Sequence, residues 1–147
     1  MAGDGTGYLD IAGFIKGYGA KPRKDLLELW QRIVFNMAVS NTDDHLRNHA
    51  LLLSANGWTL SPLYDVNPVP YGDELSLLVD DAYNSISLDL AIRTAPRFNV
   101  SVQAAGRIVG EMTAVIRENW ERLAKEYGLS HSQIEYMRPA FGECYRE

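Results

Sequence analysis

From Lys24 to about Val39 apolar residues recur at Leu26, Leu29, Trp30, Ile33, Val34, Met37 and Ala38. That is helical spacing with a wide apolar stripe, so the pattern predicts a mostly buried helix from Lys24 to about Val39. Before it, Tyr8 to Ile15 reads as a short helix that Gly17, Gly19 and Pro22 bring to an end. After it the period changes. His49 to Leu53 and Trp58 to Leu63 are apolar runs joined by Ser54-Ala55-Asn56-Gly57, and Asn-Gly suits the positive φ angles of a tight hairpin turn. Two short antiparallel strands are expected there. Pro68, Pro70 and Gly72 make the next segment irregular, and Leu88 to Thr94 predicts a short helix. Ser101 is placed to cap a long helix carrying Ala105, Ile108, Val109, Met112, Ile116 and Trp120, which Gly128 closes. Ser130 opens a last helix to about Tyr145. The expected fold class is mainly α (α+β), a helical domain with a small β hairpin that carries the polar residues.

The polar residues left over by this pattern are Asp43, Asn48 and Asp65. Asp, four residues and then Asn is the spacing of a phosphoryl-transfer loop, in which the Asp accepts the proton of the attacking hydroxyl and the Asn holds magnesium. The predicted buried helix delivers the chain to this loop as a rigid pedestal. The predicted hairpin lies between Asn48 and Asp65, and a hairpin returns its ends to one place, so oxygen ligands 17 residues apart can converge on one ion. Magnesium takes few oxygen ligands from protein and the rest from water and phosphates. Arg47 or His45 is a candidate to meet a phosphate oxygen.

Each residue also has a plainer reading. An isolated Asp-x-x-x-x-Asn arises by chance, and Asp43 alone would be read as a turn cap. Asp44 is expected to face solvent or a backbone amide, because the interval to Asn48 selects Asp43. His45 and His49 are four apart, as in a zinc helix, but Leu46 stands where the general-base Glu belongs and the pair falls in a loop. His49 is therefore expected to be structural, bonded to the backbone. Trp30, Trp58 and Trp120 are expected in packing, and Asp80-Asp81 in a solvated turn.

Composition narrows the classes further. With 147 residues, 46% hydrophobic and 22% charged, the chain is expected to be one globular domain. Its net charge of −5, from 14 basic and 19 acidic residues, argues against gripping nucleic acid directly. A single cysteine, Cys144, makes no internal disulfide, and no apolar run approaches the roughly 20 residues of a bilayer span. A cytoplasmic protein without membrane contact is expected. Residues 1–7, rich in glycine, are expected to form a flexible lead-in to a domain over 8–147.

Asn41-Thr42-Asp43-Asp44-His45-Leu46-Arg47-Asn48-His49, followed by Leu60-Ser61-Pro62-Leu63-Tyr64-Asp65-Val66-Asn67-Pro68, closely resembles the HipA family. These are bacterial serine/threonine protein kinases, many of them the toxin of a toxin–antitoxin pair. The similarity runs from about Tyr8 to Phe141 and implies a protein-kinase-like C-terminal lobe. It implies Asp43 as the catalytic base with His45 beside it, Arg47 toward the nucleotide, and Asn48 and Asp65 as ligands of the Mg²⁺ that accompanies ATP. Asn41-Thr42 stands where ordinary protein kinases have His-Arg, His45 where they have Lys, and Tyr64-Asp65-Val66 replaces Asp-Phe-Gly. The phosphate-covering glycine loop and strand lysine of an ATP-binding lobe are not found, and Gly3-Asp4-Gly5-Thr6-Gly7 has no strand before it. The resemblance therefore implies a C-terminal lobe that needs an N-terminal lobe, a protein substrate and an antitoxin partner. The alternatives are a truncated, non-catalytic homologue that binds an antitoxin or another partner, and a small-molecule phosphotransferase.

Overall fold

The computed structural model describes residues 5–147; the start of the expected lead-in, residues 1–4, lies outside them. Thr6 and Gly7 run beside Leu78: Thr6 O accepts from Leu78 N at 3.1 Å, and Tyr8 N donates to Leu78 O at 2.9 Å. Five α-helices follow, α1 (Tyr8–Tyr18), α2 (Pro22–Ala38), α3 (Leu88–Thr94), α4 (Val102–Glu126) and α5 (His131–Met137), with a hairpin of β1 (Leu51–Ser54) and β2 (Gly57–Leu60) between α2 and α3. The chain is mainly helical with one small antiparallel pair, as the pattern predicts.

Most boundaries have local causes. α1 continues through Gly17 to Tyr18, and α2 starts at Pro22 rather than Lys24, because proline is preorganised for the first helical position. α3 and α4 begin at serine side chains, with Ser87 accepting from Leu90 N and Ser101 from Ala104 N. The final helix is shorter than expected. It stops at Met137, and Pro139, which has no N–H, lies in a 3-10 segment over Arg138–Tyr145. Both strands are also shorter. Leu51 pairs with Leu60 and Ser54 with Gly57, one more bond joins Ser61 N to Ala50 O at 2.8 Å, and Pro62 then ends the ladder. In the turn the positive φ falls on Gly57 (126°) and not on Asn56.

Two clusters of apolar side chains hold the domain together. The larger one packs Tyr8, Ile15, Leu26, Leu29, Trp30, Ile33, Val34 and Met37 of α1 and α2 against Leu90, Phe98 and the first half of α4. Trp30 is fully buried and donates to Ala91 O at 2.9 Å, so α3 is tied to α2 through a satisfied indole. In the smaller cluster, Ile116 and Trp120 of α4 meet Ile134, Ala140 and Phe141, with Trp120 stacked on Phe141 at 4.2 Å. Trp58 lies edge-on to Phe14 at 6.0 Å. Among the described residues, no helix is long and apolar enough to cross a membrane.

Candidate functional site

The site begins where α2 ends. Ser40 takes a left-handed conformation (φ 55°), Ser40 N donates to Met37 O, and Asn41 N donates to Asn36 O at 2.8 Å. This pair of bonds is the usual way to satisfy the last carbonyls of a helix, though glycine more often occupies the turning position. The Ser40 hydroxyl donates to Ala140 O at 2.8 Å and its carbonyl accepts from Val69 N at 3.1 Å, which anchors the strained residue on both sides. The Asp43 loop therefore leaves a fixed point.

Within the loop the two adjacent aspartates part company. Asp43 is exposed, and its Oδ1 meets His45 Nε2 at 2.9 Å. Asp44 is buried, contrary to the expectation that it faces solvent or a backbone amide. Its Oδ2 accepts from Tyr8 Oη at 2.6 Å and from Asn36 Nδ2 at 3.1 Å, and lies 2.7 Å from His49 Nε2. His49 is thus bonded to a carboxylate and not to backbone, and its Nδ1 is buried without a partner among the described residues. Asn41 Nδ2 adds a bond to Asn36 Oδ1 at 3.0 Å. Burial, the Asp44 charge and the hydrogen bond to it raise the Tyr8 hydroxyl well above the usual tyrosine pKa, so Tyr8 stays a donor.

Asn48 ends the short 3-10 turn Leu46–Asn48, and its side chain links both halves of the site. Its Oδ1 accepts from His45 N at 2.9 Å, and its Nδ2 donates to Asp65 Oδ2 at 2.9 Å across 17 residues. Asp65 is exposed and left-handed (φ 55°), a conformation that aspartate tolerates better than most residues, and its Oδ1 accepts from Asn67 Nδ2 at 3.0 Å. The hairpin thus brings Asn48 and Asp65 together. Arg47 is exposed and, among the described residues, joins through its carbonyl, which accepts from Tyr64 Oη at 2.8 Å.

Three buried polar residues of α2 support this arrangement, none of them singled out by the sequence pattern. Asp25 accepts from Leu60 N at 3.0 Å, Arg32 donates to Ser61 O at 2.6 Å, and Asn36 holds Asp44 and Asn41. The signal available was their type, since a polar side chain on a helix face otherwise lined by Leu, Ile and Met needs a buried partner. Asp80 accepts from Ala82 N and Tyr83 N, and Asp81 pairs with Arg97 at 2.9 Å, in an exposed turn as expected.

Chemically, the arrangement offers an exposed carboxylate with a histidine partner beside an amide and a carboxylate. No group of three His, Cys, Asp or Glu side chains suited to a metal occurs among the described residues. Asp65 offers carboxylate oxygens, and Asn48 an amide oxygen that His45 N holds while its nitrogen faces Asp65. The pair, without thiol or imidazole, fits magnesium once that amide turns its oxygen toward Asp65, the remaining ligands coming from water and phosphate.

Residues 2–120 match the family model described as HipA-like C-terminal domain. A protein of Sinorhizobium fredii (strain NBRC 101917 / NGR234), named "Putative kinase Y4mE", is 29% identical over 125 residues, which is 85% of this chain and 24% of that protein. The chain thus spans about a quarter of the length of that curated relative. Among solved structures, a chain of the Shewanella oneidensis MR-1 toxin–antitoxin complex of HipA, HipB and operator DNA superposes with a TM-score of 0.75 at 17% identity. That match covers 96% of this chain and 35% of the other, and it establishes a shared fold.

Proposed function

The chain belongs to the HipA-like C-terminal domain family, and on that premise we propose that it is the catalytic C-terminal lobe of a serine/threonine protein kinase. The reaction is transfer of the ATP γ-phosphate to a protein hydroxyl. Asp43 accepts the hydroxyl proton, His45 holds the carboxylate in position, and Arg47 extends toward phosphate oxygens. Asn48 and Asp65 are the residues that would hold Mg²⁺, which supplies charge neutralisation on the phosphates. The observation that carries this reading is the 2.9 Å contact between Asn48 and Asp65, with exposed Asp43 in the same loop. The hairpin brings the exposed Asp65 carboxylate to the buried Asn48 amide, beside the exposed Asp43.

The remaining parts of a kinase site, a grip on the nucleotide phosphates and a pocket for adenine, belong on this reading to an N-terminal lobe, and the chain alone transfers phosphate slowly. Effective positioning of both reactants accounts for much of such catalysis. An antitoxin is the proposed protein partner, with nucleic acid contacted through it. The test is calorimetric titration of the folded chain with Mg-ATP, with Asp65→Asn as control. Binding lost in the variant is the expected result; a folded chain that binds nothing would overturn the nucleotide-site reading. A second reading, a non-catalytic partner-binding module, draws on the exposed apolar side chains of Leu52, Leu53 and Tyr64 around the hairpin. It requires that Asp43→Asn leave the biological effect intact.

A further inference from the structure

A second concave surface lies at the other end of α2. Its volume is about 980 Å³, and it is formed where the N-termini of α2 and α4 approach each other. α2 has 17 residues, so at a rise of roughly 1.5 Å per residue this groove is about 25 Å from the Asp43 loop.

The groove is basic in an acidic chain. Lys21, Arg23, Lys24 and Arg107 line it, and among the described residues no Asp or Glu does. All four are exposed. Arg107 reaches Glu111 at 3.4 Å on the exposed face of α4, where such a pair contributes little. Lys21, Arg23 and Lys24 form no ion pair among the described residues. Lys21 gives α2 no side-chain cap, and the N–H groups of Arg23 and Lys24 precede the first helical bond, Asp25 N to Lys21 O at 3.0 Å. These donors and the helix N-terminus reinforce the positive field.

The floor is apolar. Leu27, Val100, Ala104 and Ile108 line it beneath the cations. A phosphate or a nucleic-acid backbone would satisfy the rim and leave these side chains uncovered, and a chain of net charge −5 is poorly suited to a long polyanion. Carboxylates that alternate with apolar side chains match both parts. We propose that this groove docks an acidic segment of a partner protein, with apolar residues seated on Leu27 and Ile108 and carboxylates facing Arg23, Lys24 and Arg107.

The test is selection of displayed random peptides of about sixteen residues, long enough for four helical turns, against the folded chain. Selected peptides are then titrated by fluorescence anisotropy, with a DNA duplex as competitor. Expected are sequences that combine Asp or Glu with Leu, Ile or Phe, whose affinity falls about tenfold or more in Arg23→Glu/Lys24→Glu and weakens with salt. That variant places carboxylates in a first helical turn, where they favour the helix, so folding is retained. Arg107→Glu on the opposite wall should weaken the same peptides. No enrichment, enrichment of neutral or basic peptides, binding indifferent to all three substitutions, or displacement by duplex DNA would each overturn the proposal. The Asp65→Asn variant should bind these peptides normally, so failure here is distinguishable from failure of the nucleotide site.

Discussion

Tyr8, the first residue of α1, donates a 2.6 Å hydrogen bond to Asp44, 36 residues away in the loop that carries Asp43. The bond is fully enclosed, and Asn36 and His49 converge on the same carboxylate oxygen. One buried carboxylate thus joins the start of α1, the last turn of α2 and the far end of the loop at His49.

Substitution of the two neighbouring aspartates should therefore have very different effects on stability. Asp44→Ala strands the Tyr8 hydroxyl, the Asn36 amide and His49 in a buried pocket, and should cost about 3–5 kcal/mol in urea unfolding. Asp43→Asn, at a side chain 74% exposed, should shift stability by less than about 0.5 kcal/mol. In an assembly competent for phosphoryl transfer it should nonetheless lower the rate by about 10²–10⁴-fold, the usual contribution of a positioned base. Equal stability losses would contradict the burial difference.

Tyr8→Phe tests the same network more gently. It removes one hydroxyl and leaves Asp44 with two partners, so about 1–3 kcal/mol should be lost. The raised Tyr8 pKa also has a pH consequence. The unfolded tyrosine ionises near pH 10 while the folded one keeps its proton, so the stability contribution is intact below about pH 10 and declines above it. Unfolding midpoints measured from pH 8 to 11 should fall less steeply in Tyr8→Phe.

Cys144 should behave as a packed residue rather than a reactive thiol. It is buried against Ala38 and Phe141, and burial pushes its pKa up to about 11. A thiol reagent such as Ellman's should label the native chain slowly at pH 8 and the urea-unfolded chain at once. The thiol's contribution to stability is complete below its unfolded pKa of about 8.5 and is lost as pH rises through about 11. Rapid native labelling would show the helix-packed tail to be open.

Gly57→Ala should destabilise the hairpin's attachment to α1. Gly57 has φ 126°, and an added Cβ would stand 2.8 Å from Tyr18 O and 3.1 Å from Ala20 N. Both obstacles are backbone, so they cannot swing aside. A loss of about 1–3 kcal/mol is expected from strained geometry of this kind. Gly13→Ala, with open space around it on α1, should be neutral or mildly stabilising, and thermal melting of the pair separates the two cases.

The helices were readable because their apolar spacing is dictated by the core they enter, and Ser101 and Ser130 mark their starts directly. The convergence of Asn48 and Asp65 was readable too, since Asn56-Gly57 signals a reversal whichever residue carries the positive φ. What failed was local reasoning about Asp44 and His49. Asp44 finds its partners Tyr8 and Asn36 on α1 and α2, His49 follows it inward, and sequence distance conceals which side of a loop packs against those helices. The final helix failed at Pro139, whose missing N–H outweighs the apolar spacing that runs on to Tyr145.

The three buried polar residues of α2 have a consequence for motion. Asp25, Arg32 and Asn36 are separated by seven and four residues, close to whole turns at about 3.6 residues each, so they form one row along the helix. Each grips a different stretch of the site, the end of β2, Ser61 and the Asp43 loop. None of these stretches can swing away alone without stranding a polar group in the core. The scaffold beneath Asp43 and Asp65 should therefore open only when α2 itself melts. In hydrogen exchange, the amides of Leu60 and Asn41 should share the slow, global opening rate of the α2 interior.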